Sequence, residues 1–170
     1  MLIRDETAGD IPAIGRLVTE ALRMLPQSTG TEAGIVEKLR ADGALALSLV
    51  AEDEGEDEGE VIGYLAASAA RIGTQDGWGL IGPLVVLPAR HRQGIGTALM
   101  AEALRRLRAT SRGAALVGDP AYYGRFGFRA FPGLGVAGCP PEVVQALPFD
   151  GTEPRGELIH HPAFGLAQPE

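Results

Sequence analysis

The stretch from Leu80 to Thr110 constrains this chain most: L-I-G-P-L-V-V-L-P-A-R-H-R-Q-G-I-G-T-A-L-M-A-E-A-L-R-R-L-R-A-T. An apolar run from Leu80 to Leu87 stops at Pro88, and a basic, glycine-bearing turn spans Arg90 to Gly96. Leu99, Met100, Ala103, Leu104 and Leu107 then recur at helical spacing. The pattern predicts strand, turn and helix. A helix start leaves backbone N–H groups without intrahelical partners, and its dipole favours an anion there. Gly94 and Gly96 permit close backbone approach, while Arg90, His91 and Arg92 add positive charge. The turn therefore predicts a phosphate cradle at a helix N-terminus. A merely structural turn could carry the same glycines, with the arginines solvated. Gly82-Pro83 interrupts the apolar run, and proline inside a strand signals an edge or a bulge. A bulge would leave backbone groups free to meet a ligand.

A chain of 170 residues suffices for one domain with a real core. Residues 1–148 are expected to form that domain, with 149–170 as a C-terminal extension packed on it. No signal-peptide pattern opens the chain and no long uncharged apolar run spans a membrane. A cytoplasmic protein is expected. Cys139 is the sole cysteine, which excludes an intramolecular disulfide, and the three histidines show no metal-ligand spacing. No metal is expected. Of the net charge of −7, all is explained by Glu52 to Glu60, which holds seven acidic residues; the remainder carries 15 of each sign. A neutral remainder argues against general nucleic-acid binding.

Read in order, Leu2-Ile3-Arg4 begins a strand and Thr7-x-x-Asp10 resembles a capping box. Ile11, Ile14, Leu17, Val18, Ala21, Leu22 and Leu25 predict a first helix, and Glu32 to Arg40 a second; Pro26 to Gly30 separates them. Ala44 to Ala51 and Val61 to Ile72 read as strands joined by the acidic segment, which is too charged to bury and reads as a solvated, mobile hairpin tip. Gly73 to Gly77 turns the chain into a strand from Trp78 to Leu87. After the helix, Ala114 to Val117 reads as a buried strand and Pro120 to Arg125 as a short helix. Gly127 to Phe131 starts another strand, Pro132 to Pro141 is loop, and Glu142 to Leu147 reads as one helical turn. Leu158 to His161 reads as a last strand, with Ala163-Phe164 behind it. Two antiparallel hairpins followed by strand, helix and strand predict a mixed, mostly antiparallel α/β sheet. Its parallel pair would be Leu80–Leu87 with Ala114–Val117, joined by a right-handed crossover, and helices would cover both faces.

The segment P-L-V-V-L-P-x-x-x-x-Q-G-I-G-T-A-L resembles the acetyl-CoA-binding motif of the GNAT N-acetyltransferases. A-L-V-G-D-P-A-Y-Y-G-R-F-G-F resembles their next strand, short helix and final Gly-Phe, in the form found in the YhbS-like branch. The likeness runs from Val61 to Phe131. One departure is His91, which stands where the family turn carries Arg or Gln.

The resemblance implies a GNAT-like fold in which the parallel strands splay and pantetheine slips between them. It implies backbone contacts to pantetheine from Val85, Val86 and Leu87, with Leu84 in the same wall, and a pyrophosphate site at Arg92, Gln93, Gly94, Ile95, Gly96 and Thr97, with His91 beside it. Tyr123, four residues before Gly127, matches the family tyrosine that would protonate the departing thiolate. Tyr122 reads as aromatic packing beside the cofactor. Asp119 reads equally as a contact to pantetheine or amine and as a helix cap. Thioester aminolysis needs such an acid and an N–H near Val85 or Val86 to polarise the carbonyl. No Asp or Glu stands on Leu80–Leu87 and Asp76 precedes it, so the base is unassigned.

The expected partners are therefore acetyl-CoA and an amine acceptor, with a homodimer as a further expectation. The expected reaction is acetyl transfer by direct attack. A non-catalytic acyl-CoA-binding sensor is the alternative. A dinucleotide oxidoreductase ranks far behind, because no third glycine completes G-x-G-x-x-G.

Overall fold

Consecutive hairpins build most of the sheet. In the computed structural model, which describes residues 1–23, 32–56 and 58–167, β1 (Leu2–Asp5), β2 (Leu45–Glu52), β3 (Val61–Ile72) and β4 (Gln75–Val86) pair antiparallel in that order. β4 then pairs parallel with β5 (Gly113–Val117), as expected, and β5 pairs antiparallel with β7 (Val144–Pro148). At the C-terminal end of β3, β8 (Gly156–Ile159) pairs with Arg71 and Ile72, and it pairs in parallel with the short β6 (Leu134–Gly135).

The helices take both faces. α1 (Ile11–Arg23) and α2 (Glu32–Ala41) lie on one face. There Ile14, Leu17, Val18 and Val36 pack with Val50, Tyr64, Ala66 and Val85. α3 (Ile95–Thr110) covers the other, where Ile95, Leu99, Met100, Ala103 and Leu107 meet Leu49, Leu65, Ala67, Ile81 and Leu116. The apolar repeat in each helix faces inward as its spacing dictates. The Asp10 carboxylate accepts from both the N–H (2.7 Å) and the hydroxyl (3.1 Å) of Thr7, which secures the entry to α1. Leu25 and the Pro26–Gly30 break lie outside the described residues.

Several expectations need correction. The β3–β4 turn is shorter than Gly73–Gly77, because β4 starts at Gln75. Gly127–Phe131 forms no regular strand; a single bridge joins Arg129 to Ala146. Pro132–Pro141 is not all loop, since β6 lies within it. Glu142–Leu147 is not a helical turn. A 3-10 turn at Pro141–Val143 runs straight into β7. The reason is tertiary: β5 is buried from Gly113 to Leu116 and its outer edge needs backbone partners, which residues 144–148 supply. The acidic segment is not uniformly solvated either. Asp53 is only 8% exposed, and Glu54 pairs with the N-terminal ammonium at 2.7 Å.

Candidate active site

The parallel pairing of β4 and β5 is short. Only Trp78, Gly79 and Leu80 align, with Gly113, Ala114 and Ala115. Beyond that point β4 stays with β3 as far as Val86, and β5 stays with β7 as far as Val117. The sheet splits into a cleft whose walls are Ile81–Val86 and Leu116–Val117. The cause is the Gly82-Pro83 interruption: Ala66 of β3 opposes both residues, so β4 carries a bulge there.

That bulge also decides which backbone groups face the cleft. Leu87 donates its N–H to Ile62 O on the β3 side at 2.9 Å. In an antiparallel ladder successive residues point their N–H and C=O to opposite edges. Val86 and Leu84 therefore turn theirs into the cleft, while Val85 and Leu87 turn theirs to β3. This corrects the expectation for Val85 and Leu87. The His91 Nε2 lies 3.1 Å from Val86 O. A carbonyl only accepts, so Nε2 carries the proton and His91 folds back onto the cleft edge.

The turn after β4 carries left-handed backbone at the start of α3. A 3-10 turn at Pro88–Arg90 leads to Arg92, whose φ is 65°, and to Gly94, whose φ is 81°. Left-handed backbone at a non-glycine residue is uncommon and concentrates at functional sites. Gly94 precedes Ile95, the first helical residue, and a left-handed residue followed by helical ones turns successive N–H groups to one side. The expected cradle from Arg92 to Thr97 is thus contiguous at the start of α3, at the outer end of β4. Arg90 is engaged elsewhere: it donates to Asp53 Oδ2 at 2.6 Å.

α4 (Pro120–Tyr123) closes the other side of the cleft. Asp119 caps it, its Oδ1 accepting from the Ala121 N–H at 2.9 Å, which is the capping role of the two expected. The Cδ2–Cε2 edge of Tyr123 lies against Gly118, just past the end of β5; a Cβ at Gly118 would stand 2.5 Å from its Cε2. The ring packs edge-on against Phe128 and Tyr122. Burial pushes the Tyr123 phenol up to about 12, helped by Tyr122 and Asp119, so it stays protonated at neutral pH. Tyr122 crosses to the cradle. A Cβ at Gly96 would meet its hydroxyl at 2.5 Å, so the glycine makes room for it, and Arg125 stacks on the ring at 4.6 Å. Sequence reasoning missed Gln145, buried on β7 beside β5, whose Nε2 donates to Gly118 O at 3.0 Å and fixes the strand end next to Tyr123. A polar residue inside an apolar run was the available signal.

A family model described as "Acetyltransferase (GNAT) domain" matches residues 45–130, which hold the cleft, the cradle and both tyrosines. The chain belongs to the GNAT N-acetyltransferase family. It is an acyltransferase by membership. It is 40% identical over 130 residues to Uncharacterized N-acetyltransferase YhbS of Escherichia coli K12, covering 75% of this chain and 73% of the relative. A GNAT acetyltransferase from Brucella melitensis, crystallised with acetyl-CoA, superposes with a TM-score of 0.82 at 41% identity, over 96% of this chain and 97% of that one. YhbS from Escherichia coli, crystallised with CoA, superposes with a TM-score of 0.85 at 32% identity, over 96% and 91%.

Proposed function

We propose that this GNAT protein transfers an acetyl group from acetyl-CoA to a primary amine by direct attack in a ternary complex. The observation that carries the reading is the junction of two features: a cleft edged by the backbone of Leu84 and Val86, and a left-handed turn opening onto α3 at its end. The first can pair with the amides of pantetheine as a missing strand would. The second can hold a pyrophosphate through the N–H groups of Arg92 to Thr97. The acetyl-CoA and CoA complexes of the two similar proteins support the same ligand here.

In this reading the neutral amine attacks the thioester carbon and the new C–N bond forms. A cleft-facing N–H of Leu84 or Val86 stabilises the oxyanion. The C–S bond then breaks and Tyr123 donates its proton to sulfur. A phenol held protonated by burial is suited to that donation. The amine proton leaves through water, since Leu80–Leu87 carries no carboxylate, and solvent restores Tyr123. Asp119 and Tyr122 shape the site from the α4 side. That missing carboxylate favours a second reading, a non-catalytic acyl-CoA sensor. The test is thiol release from acetyl-CoA across a panel of primary amines. Amine-dependent release supports the enzyme; tight CoA binding with no release from any amine supports the sensor.

A further inference from the structure

The turn that forms the cradle is tied to a hairpin distant in sequence. Arg90 closes the 3-10 turn at Pro88–Arg90, two residues before left-handed Arg92. Its guanidinium donates to Asp53 Oδ2 at 2.6 Å, across a separation of 37 residues. The two side chains are 23% and 12% exposed, so the pair is largely shielded from water. Charge-assisted bonds of this length, held out of bulk solvent, are stronger than the usual surface bridge.

Asp53 is itself held at both backbone ends. Its N–H donates to Glu60 O and its carbonyl accepts from the Gly59 N–H, each at 2.9 Å. Its Oδ1 accepts from the Gly55 N–H at 3.0 Å. The first residue after β2 is thus a rigid post, fixed to the closing end of the β2–β3 hairpin. Arg90 sits in a short turn between β4 and α3, where its own N–H donates to Leu87 O at 2.8 Å and the His91 N–H donates to Pro88 O at 3.3 Å.

We propose that Asp53 is a positioning residue for the cofactor loop, acting through Arg90 to hold Arg92–Gly96 in its binding geometry. The functional half of this rests on the CoA reading given above. A left-handed arginine is unfavourable on its own, so a loop containing one needs outside restraint. Where only part of the population is preformed, apparent affinity falls by that fraction. The acidic hairpin therefore contributes to the site by the buried carboxylate of Asp53 and not by its exposed charges.

The test compares the parent chain with Asp53→Asn, Arg90→Gln and the double variant. Asparagine keeps an oxygen for the Gly55 N–H, which preserves the hairpin turn. Each single variant is expected to weaken CoA about tenfold by calorimetry, the size expected for two residues coupled in one network. The double variant is expected to be no worse than either single. KM for acetyl-CoA should rise while kcat holds, since the reacting groups are untouched. Without CoA, amides 91–96 should exchange with deuterium faster in Asp53→Asn. Additive losses in the double variant would mean that Arg90 contacts the cofactor directly, and would overturn the proposal. Parent-like affinity and exchange in Asp53→Asn would overturn it too. If the parent binds no CoA, the functional reading fails, and the exchange result alone judges whether Asp53 holds the loop.

Discussion

Gly63 sets how closely α3 can seat on the sheet, and Gly63→Ala tests that. A Cβ at this position would stand 2.7 Å from Ile95 Cγ2, 3.0 Å from Leu99 Cδ1 and 3.3 Å from Ala51 Cβ. Carbon atoms prefer about 3.5–4.0 Å. The first turn of α3 must therefore lift by ~1 Å, or Ile95 and Leu99 must leave their rotamers. Overpacking of this kind costs about 1–3 kcal/mol. Reduced freedom of the unfolded chain returns about 0.4–1 kcal/mol. The net loss, up to about 2.6 kcal/mol, lowers Tm by up to roughly 10 °C in a domain of this size. The functional effect is expected to be larger in proportion. Ile95 starts the helix whose N–H groups form the cradle, and a ~1 Å displacement of oriented groups costs tenfold or more. Thermal melts and CoA calorimetry read both effects. Gly15→Ala is the control: nothing lies within 4 Å of its Cβ position in α1, so Tm should rise. A Gly63→Ala protein that melts and binds CoA like the parent would refute the close seating of α3.

Tyr123→Phe should leave acetyl-CoA affinity intact and lower kcat and kcat/KM together by about 10²- to 10⁴-fold, measured by thiol release on a good amine; near-normal kcat would remove Tyr123 as the acid. Gly94→Glu should abolish CoA binding in calorimetry, because a carboxylate would share the cradle and a side chain is strained at its φ of 81°. Arg4, hydrogen-bonded to Asp10 at 2.7 and 3.0 Å, holds that carboxyl down at about 2 with help from Thr7. A depressed carboxyl stabilises the fold above its ordinary value of 3.8 and loses that contribution as pH falls toward 2, so Asp10→Asn should flatten the acid limb of stability against pH.

What the sequence revealed depended on how local the cause was. The unit β4–α3–β5 was legible because its apolar periods, its proline and its glycines are consecutive residues. The cleft was legible in outline from Gly82-Pro83, but the facing of Val85 and Leu87 was not. It depends on the residue gained at the bulge, which is visible only once β3 fixes the register. β7 was missed because Val144–Leu147 has no strand alternation, and the open edge of β5 that recruits it lies nearly 30 residues earlier. The pairing of Asp53 with Arg90 was hidden in two charge runs, each of which reads as solvated by itself. His91, placed by motif beside the pyrophosphate, also bonds Val86 O, a contact that only the turn geometry can bring about.

The central claim is that acetyl-CoA lies in the cleft between β4 and β5 with its pyrophosphate on the start of α3. Titrating CoA into isotope-labelled protein and following the backbone amides tests it most directly. The expected result is large, saturable shifts at Leu84, Val86, Gly94, Ile95 and Gly96, with little change at Val85 and Leu87, whose amides face β3. Saturable shifts confined to other parts of the sheet, with the cradle amides unmoved, would contradict it.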